Sequence, residues 1–317
     1  MAKFPVDAAN DAYRHRLELA LQIAPAYAAH PRVVAVAVGG SVARGHADRF
    51  SDLELAIFWS VAPSSQQRTS AARRAGAVHR RDFQFDRASQ SWEEDYEVAG
   101  LKIDVRHITV ASTEWLLADV ADRFDVALSK QVFAGSICHS IPLAGHKTIE
   151  RWRARAEYPG GLAQAMVQAN LGFGPKSYLA MLAARDDCLL LYDLFCRIER
   201  LVLGMLLGLN RVYPPSADFK WLDWTIRRLP IAPPDLAGRL RRPYAIPPPL
   251  AVEELGRLID ETLTLVEFHL PEVDTAPTRA RIAQRRPVWV PPSSDESTLH
   301  CPTTERYSPR SPGQAMR

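Results

Sequence analysis

The sequence predicts an α+β fold, a sheet flanked by helices and followed by an all-α helical bundle. Strand-length apolar runs alternate with helical patterns as far as residue 144; beyond residue 145 only helical patterns recur, separated by Pro and Gly breaks. From residue 274 onward Pro, Ser, Thr and Arg dominate and apolar periodicity fades, the composition of a segment with too little apolar surface to order itself. The boundaries expected are a first domain at 1–144, a helical bundle domain at 145–273 and a disordered Pro/Arg-rich tail at 274–317.

Residues 8–29 carry the spacing of an amphipathic helix, and residues 32–38 form a continuous Val/Ala strand. Gly39-Gly40-Ser41 ends that strand in a turn where the backbone can approach a ligand closely, and residues 42–45 read as a first helical turn. A second strand covers 52–59, and residues 63–77, rich in Ser, Gln and Arg, read as a loop entering a helix. Residues 96–98 and 101–110 form a hairpin turning at Gly100, with Leu101, Ile103 and Val105 on one face and Lys102, Asp104 and Arg106 on the other. Ser112 opens a helix that continues through Trp115, Leu116, Val120 and Phe124. In the second half, residues 146–158, 162–171 and 178–184 are short helical runs. Residues 187–209, apolar nearly all round, read as the central helix of the bundle, and 221–229 and 250–270 complete it across Pro-rich connections. The segment Pro287-Val288-Trp289-Val290-Pro291 is read with the disordered tail, docking on the body being the alternative.

The chemistry concentrates between Val38 and Phe58. Asp52 and Glu54 are two apart on a strand, so their carboxylates share a face while Leu53, Leu55 and Ile57 take the other. Such a pair suits a hard cation, Mg2+ or Mn2+, that takes one or two carboxylates together with substrate phosphates. Upstream, the backbone of Gly39 and Gly40, the Ser41 hydroxyl and the Arg44 guanidinium are phosphate-binding groups.

Val38-Gly39-Gly40, eleven residues, then Asp52-Leu53-Glu54-Leu55, with Ser51 leading the acidic strand, resembles the signature of the nucleotidyltransferase superfamily. The resemblance implies a mixed sheet flanked by helices and a third metal-binding carboxylate on a later strand of the same sheet. Asp104 is the candidate; Glu97 and the run Glu93-Glu94-Asp95 compete with it, Glu93 and Glu94 reading as a solvated edge or turn. A second stretch, Arg185-Asp186-Asp187, then 207–214 and Lys220-Trp221, is similar to the C-terminal domain of nucleotidyltransferase-like proteins of unassigned substrate and, more loosely, to antibiotic nucleotidyltransferases. The two together cover roughly residues 30–270.

What they imply is a transferase in which Asp52, Glu54 and Asp104 hold divalent metal. Gly39, Gly40, Ser41, Arg44, Ser51 and Lys220 bind ATP or another nucleoside triphosphate, and a small-molecule acceptor hydroxyl displaces pyrophosphate. Asp187 is open to two roles, helix cap or acceptor ligand and base. An antitoxin-like or protein-modifying nucleotidyltransferase acting on a protein or RNA partner is the alternative, and a catalytically silent nucleotide-binding module is a further one.

Charge and composition bound the partners. Residues 274–317 hold seven Arg against four acids, which leaves the remaining 32 basic and 32 acidic residues balanced; a neutral body is not expected to carry an extensive nucleic-acid surface. Cys138, Cys188, Cys196 and Cys301 form no CxxC pair, so neither a zinc site nor a disulfide framework is expected, and a reducing cytoplasm is the natural compartment. Acids within the first helix spoil a signal peptide, and the longest apolar stretch, 201–209, is too short for a bilayer.

Overall fold

The computed structural model describes residues 11–290. Helix α1 (Asp11–Ala28) leads into β1 (Val33–Val38), the helical turn α2 (Gly40–Ala43), β2 (Leu53–Trp59) and α3 (Ser65–Arg74). Next come β3 (Val78–Asp82), β4 (Ser91–Val98), β5 (Leu101–Thr109), α4 (Val110–Ala121), α5 (Leu128–His139) and β6 (Ile141–Ala144). Only helices follow: α6 (His146–Arg155), α7 (Gly160–Ala169), α8 (Lys176–Arg185), α9 (Cys188–Asn210), α10 (Leu222–Ile226), α11 (Leu236–Arg241), α12 (Pro248–His269) and α13 (Ala276–Ile282). The fold class is α+β, as expected. The sheet is mixed, in the order β3-β4-β5-β2-β1-β6, with β2 and β5 parallel and the other neighbours antiparallel.

Apolar residues of the central strands are covered by helices on both faces of the sheet. Val36, Val38, Leu53, Leu55, Ile57, Ile103 and Val105 pack with α1 and α3. Ala35, Ala37, Phe58 and Ile108 pack on the other side with Leu116 and Val120 of α4, Phe133 and Ile137 of α5, and Trp152 of α6. That second core continues into α7 through Leu162 and Met166, so the sheet layer and the first helices after residue 145 share an interior. The chain through Gln284 groups as one compact unit. Helix α7 is fixed in turn to α9: a side chain at Gly208 would stand 2.9 Å from the Ala163 carbonyl oxygen, so only glycine lets the two backbones come this close. A separate core of α8, α9 and α12 residues, among them Leu182, Phe195, Leu206 and Leu255, forms the bundle.

Several elements depart from the sequence reading. Helix α4 begins at Val110, two residues before Ser112, because the Thr109 hydroxyl is the cap and accepts the Ser112 N–H at 3.0 Å. Strand β4 starts at Ser91, not at residue 96, and pairs with β5 along its whole length and with the Arg-rich edge strand β3 between Glu94 and Glu97. Helices α5 and α11 were not expected. The run 285–290 carries no helix or strand, but the expected tail contains α13. There the Thr278 hydroxyl donates to the Leu171 carbonyl at 3.1 Å, Arg279 pairs with Asp260 and Glu267, and Ile282 packs on the bundle core. The parts of the predicted first helix and tail at residues 8–10 and 291–317 lie outside the described residues.

A chain ended at Asp274 is therefore expected to melt about 5 °C below one ended at Gln284, corresponding to roughly 2 kcal/mol of lost burial and hydrogen bonding. Equal melting temperatures would show that α13 contributes nothing. No helix among the described residues is long and apolar enough to cross a membrane.

Candidate active site

Parallel pairing of β2 with β5 puts Glu54 beside Asp104, and antiparallel pairing of β4 with β5 puts Asp95 beside Asp104. Paired residues project to the same side of a sheet. Glu54, Asp104 and Asp95 thus form a row of carboxylates across three strands, on the face away from α1, where they line a cleft of about 430 Å³. Asp52 lies one residue before β2, and its carboxyl is within hydrogen-bonding reach of Asp104. Burial, and then that contact with Asp52, push the Asp104 carboxyl above its ordinary value, against the pull of Lys102. The Lys102 ammonium lies 2.6 Å from Asp104 and 3.7 Å from Asp52.

The glycine turn abuts this row. Gly40 has φ +59°, a left-handed conformation that favours glycine, and a Cβ there would overlap the Glu54 carboxylate. The Gly39 N–H donates to the Glu54 carbonyl at 2.9 Å, tying turn to strand. Burial raises the Glu54 carboxyl, opposed by the charges of Arg44, Arg106 and Lys220 and reinforced by Asp104, although the side chain still reaches solvent through the cleft. Arg44 turns back on its own loop, donating Nη1 to the Gly40 carbonyl at 3.2 Å, and burial lowers its pKa from the ordinary value. Ser51 is engaged locally: its hydroxyl donates to Asp48 Oδ1 at 3.0 Å, while its carbonyl accepts Arg16 Nε at 2.8 Å. The buried Arg16, which the sequence did not single out, thereby anchors the loop that presents Asp52. Lys220 is exposed on the loop before α10, and next to it the Trp221 ring meets the His46 ring at 4.4 Å.

The opposite wall was not legible in the sequence. Val132, Phe133, Ser136, Ile137 and Ser140 come from α5 and the residue after it, and Phe83 from the β3–β4 connection. The signal available was the apolar spacing Leu128, Val132, Phe133 and Ile137, which fits one helix face. Glu93 pairs with Arg106 at 2.7 Å. Asp186 and Asp187 sit at the α8–α9 corner and do not line the cleft.

Glu94 corrects the sequence reading outright: it is 1% exposed, on the other face of β4, within a buried polar network. The Trp59 Nε1–H, which can only donate, points to His107 Nδ1 at 3.1 Å. His107 Nδ1 is thus the acceptor, and its proton sits on Nε2, directed at Glu94 at 3.0 Å. Arg80 Nε donates to the other Glu94 oxygen at 2.8 Å, and Tyr27 bridges Glu94 and Tyr96. Burial lowers the pKa of His107, which is therefore a neutral hydrogen-bonding partner. Desolvation alone would raise Glu94, yet the hydrogen bond from His107 and the charge of Arg80 hold it below its ordinary value.

His46 and His139 lie near Arg44, and burial, with the charges of Arg44 and Arg228, lowers both to about 4 from 6.5. Between those two values the unfolded chain binds more protons than the folded one, so stability falls as pH drops from 6.5 toward 4. Melting temperatures recorded across that window should decline steadily toward acid. A flat profile would mean that these imidazoles are not held neutral.

Among the described residues no three His, Cys, Asp or Glu side chains are arranged to hold one metal ion. Of the expected trio, Glu54 and Asp104 line the cleft and Asp52 does not; Asp52 and Asp104 are the pair that converge. That pair fits a divalent cation of the Mg2+ type: two oxygen donors too close to keep both charges uncompensated, with the Lys102 ammonium standing in as the cation between them.

No protein-family model matches the chain, and no curated protein matches it. Among solved structures it is similar to a nucleotidyltransferase-like protein from Exiguobacterium sibiricum 255-15, at 11% identity and a TM-score of 0.36, over 80% of this chain and 78% of that one.

Proposed function

We propose that the chain is a nucleotidyltransferase that moves a nucleoside monophosphate, AMP from ATP, to a hydroxyl of a small-molecule acceptor and releases pyrophosphate. The observation that supports this best is that Glu54, packed against the Gly39-Gly40 turn, lies opposite Asp104 in the ladder, and Asp104 in turn is in reach of Asp52. Like charges held together cost stability, a cost characteristic of sites arranged for function.

When bound, Mg2+ or Mn2+ at Asp52 and Asp104, with Glu54 beside them, would supply positive charge to the phosphates. The backbone of Gly39 and Gly40 and the Ser41 hydroxyl hold phosphate oxygens, while Arg44 and Lys220 add positive charge from the turn and from the loop before α10. The α5 wall covers the apolar floor of Ala37, Ala56 and Phe58 and keeps water from that side of the reacting atoms. An acceptor lies along the sheet toward Glu93 and Asp95, where the carboxylates, paired with Arg106 and Arg81, can accept hydrogen bonds from a hydroxylated molecule. A cleft of about 430 Å³ is in the range of small-molecule sites.

Calorimetry with ATP tests the first half: binding is expected with Mg2+ present and at least tenfold weaker with chelator, and equal affinity in both would overturn the metal-dependent reading. Mass spectrometry after incubation with ATP, Mg2+ and a panel of aminoglycosides, lincosamides and polyols tests the second. A mass increase on a small molecule is expected; nucleotide addition to RNA or protein alone would assign a macromolecular acceptor.

A further inference from the structure

The bundle holds a second cavity, of about 330 Å³, built from elements that contribute nothing to the acidic cleft. Leu194, Ile198 and Leu201 of α9 and Val252, Gly256 and Ile259 of α12 line it, each set spaced to share one helix face. Gly256 holds it open. Glycine inside a helix weakens that helix, and the atoms nearest to a Cβ at 256 belong to the flexible Lys176 side chain, the first at 3.3 Å. A larger side chain at 256 would enter the cavity.

Charge around this apolar space has one sign. No carboxylate lines it, whereas Lys176, Arg197 and Arg281 do. Lys176 is paired with Glu253 at 2.6 Å. Arg197 and Arg281 make no ion pair among the described residues. An inorganic anion would leave the apolar stripes unused, and an uncharged hydrocarbon would leave the guanidiniums unanswered.

We propose that this cavity binds an amphipathic anion, a medium-length acyl chain ending in a carboxylate, with its tail between α9 and α12 and its head on Arg197 and Arg281. Tail burial supplies affinity in proportion to the apolar area removed from water. The guanidiniums supply charge-assisted hydrogen bonds matched to a carboxylate. The site is independent of the nucleotidyltransferase reading.

Calorimetry on the full chain, below micelle-forming concentrations, tests it with decanoate, acetate and decyltrimethylammonium as probes. Decanoate should bind saturably at one per chain, and neither acetate nor the cationic amphiphile should match it. The double variant Arg197→Ala/Arg281→Ala should weaken decanoate at least tenfold. Gly256→Leu should abolish binding while melting no lower than the parent; if that variant does not fold, the double-arginine variant decides. Absence of saturable decanoate binding, equal binding of decyltrimethylammonium, or unchanged affinity in the double-arginine variant would each overturn the proposal.

Discussion

Asp104→Asn is expected to lower nucleotidyl transfer by about 10³-fold, the order seen when a group that stabilises developing charge is removed. Asp104 is the centre of the acidic row, paired across the ladders with Glu54 and Asp95, in reach of Asp52 and 2.6 Å from Lys102. Asparagine keeps its shape and deletes its charge. The melting temperature should hold or rise, because the change relieves like-charge crowding at a half-exposed position without opening a cavity. Glu97→Gln is the matched control: Glu97 stands opposite Lys102 near the β4–β5 hairpin, exposed and outside the cleft lining, and should keep most of the rate. Steady-state rates on the two variants decide. A dead Glu97→Gln with an active Asp104→Asn would move the third carboxylate to β4 and undo the site described here.

Glu94→Ala is expected to have the largest effect on stability. It would leave His107 without its carboxylate and Arg80 with Asp82 alone, at 3.2 Å, at a place where Glu94 and His107 are 1% and 0% exposed. Removing one partner of a buried charged pair costs about 3–5 kcal/mol, or on the order of 10 °C for a chain of this size. Glu94→Gln should cost less, since its amide oxygen still accepts from His107. Because Glu94 is held below its ordinary value of 4.5, its contribution is complete above that pH and is lost as pH falls through the folded value. The gap in melting temperature between parent and Glu94→Ala should therefore be widest near neutral pH and close toward acid. A loss of under about 2 °C at neutral pH would show the network to be dispensable.

The two variants mark how far the sequence could be read. That Glu54 and Asp104 take the face opposite to Leu53, Leu55, Ile103 and Val105 was legible because period-two alternation assigns side chains to faces. The same alternation could not rank Glu93, Glu94 and Asp95. Consecutive acids on one strand take opposite faces, and whether the second face is solvent or core depends on what covers it. Here Arg80, Trp59 and His107 cover Glu94, and none of them is near it in sequence. Strand β3 was missed for a related reason: Val78–Asp82 is polar and Arg-rich, and it is a strand because its arginines find Glu94 and Asp95 on β4. Helix α13 escaped notice since seven residues cannot show periodicity against a Pro/Thr/Arg background, and its order comes from Leu171, Asp260 and Glu267.

By itself, then, the sequence determined the α+β class, the succession of sheet layer and helices, and which faces of β2 and β5 carry acids, since these follow from local periodicity and backbone conformation. Tertiary structure alone decided that Asp52 converges on Asp104 while Glu54 packs against Gly40, that α5 walls the cleft, and that Gly208 fastens the bundle to the layer beneath it. Each of these depends on the distance between segments far apart in the chain, which burial and charge balance fix only when the whole core closes.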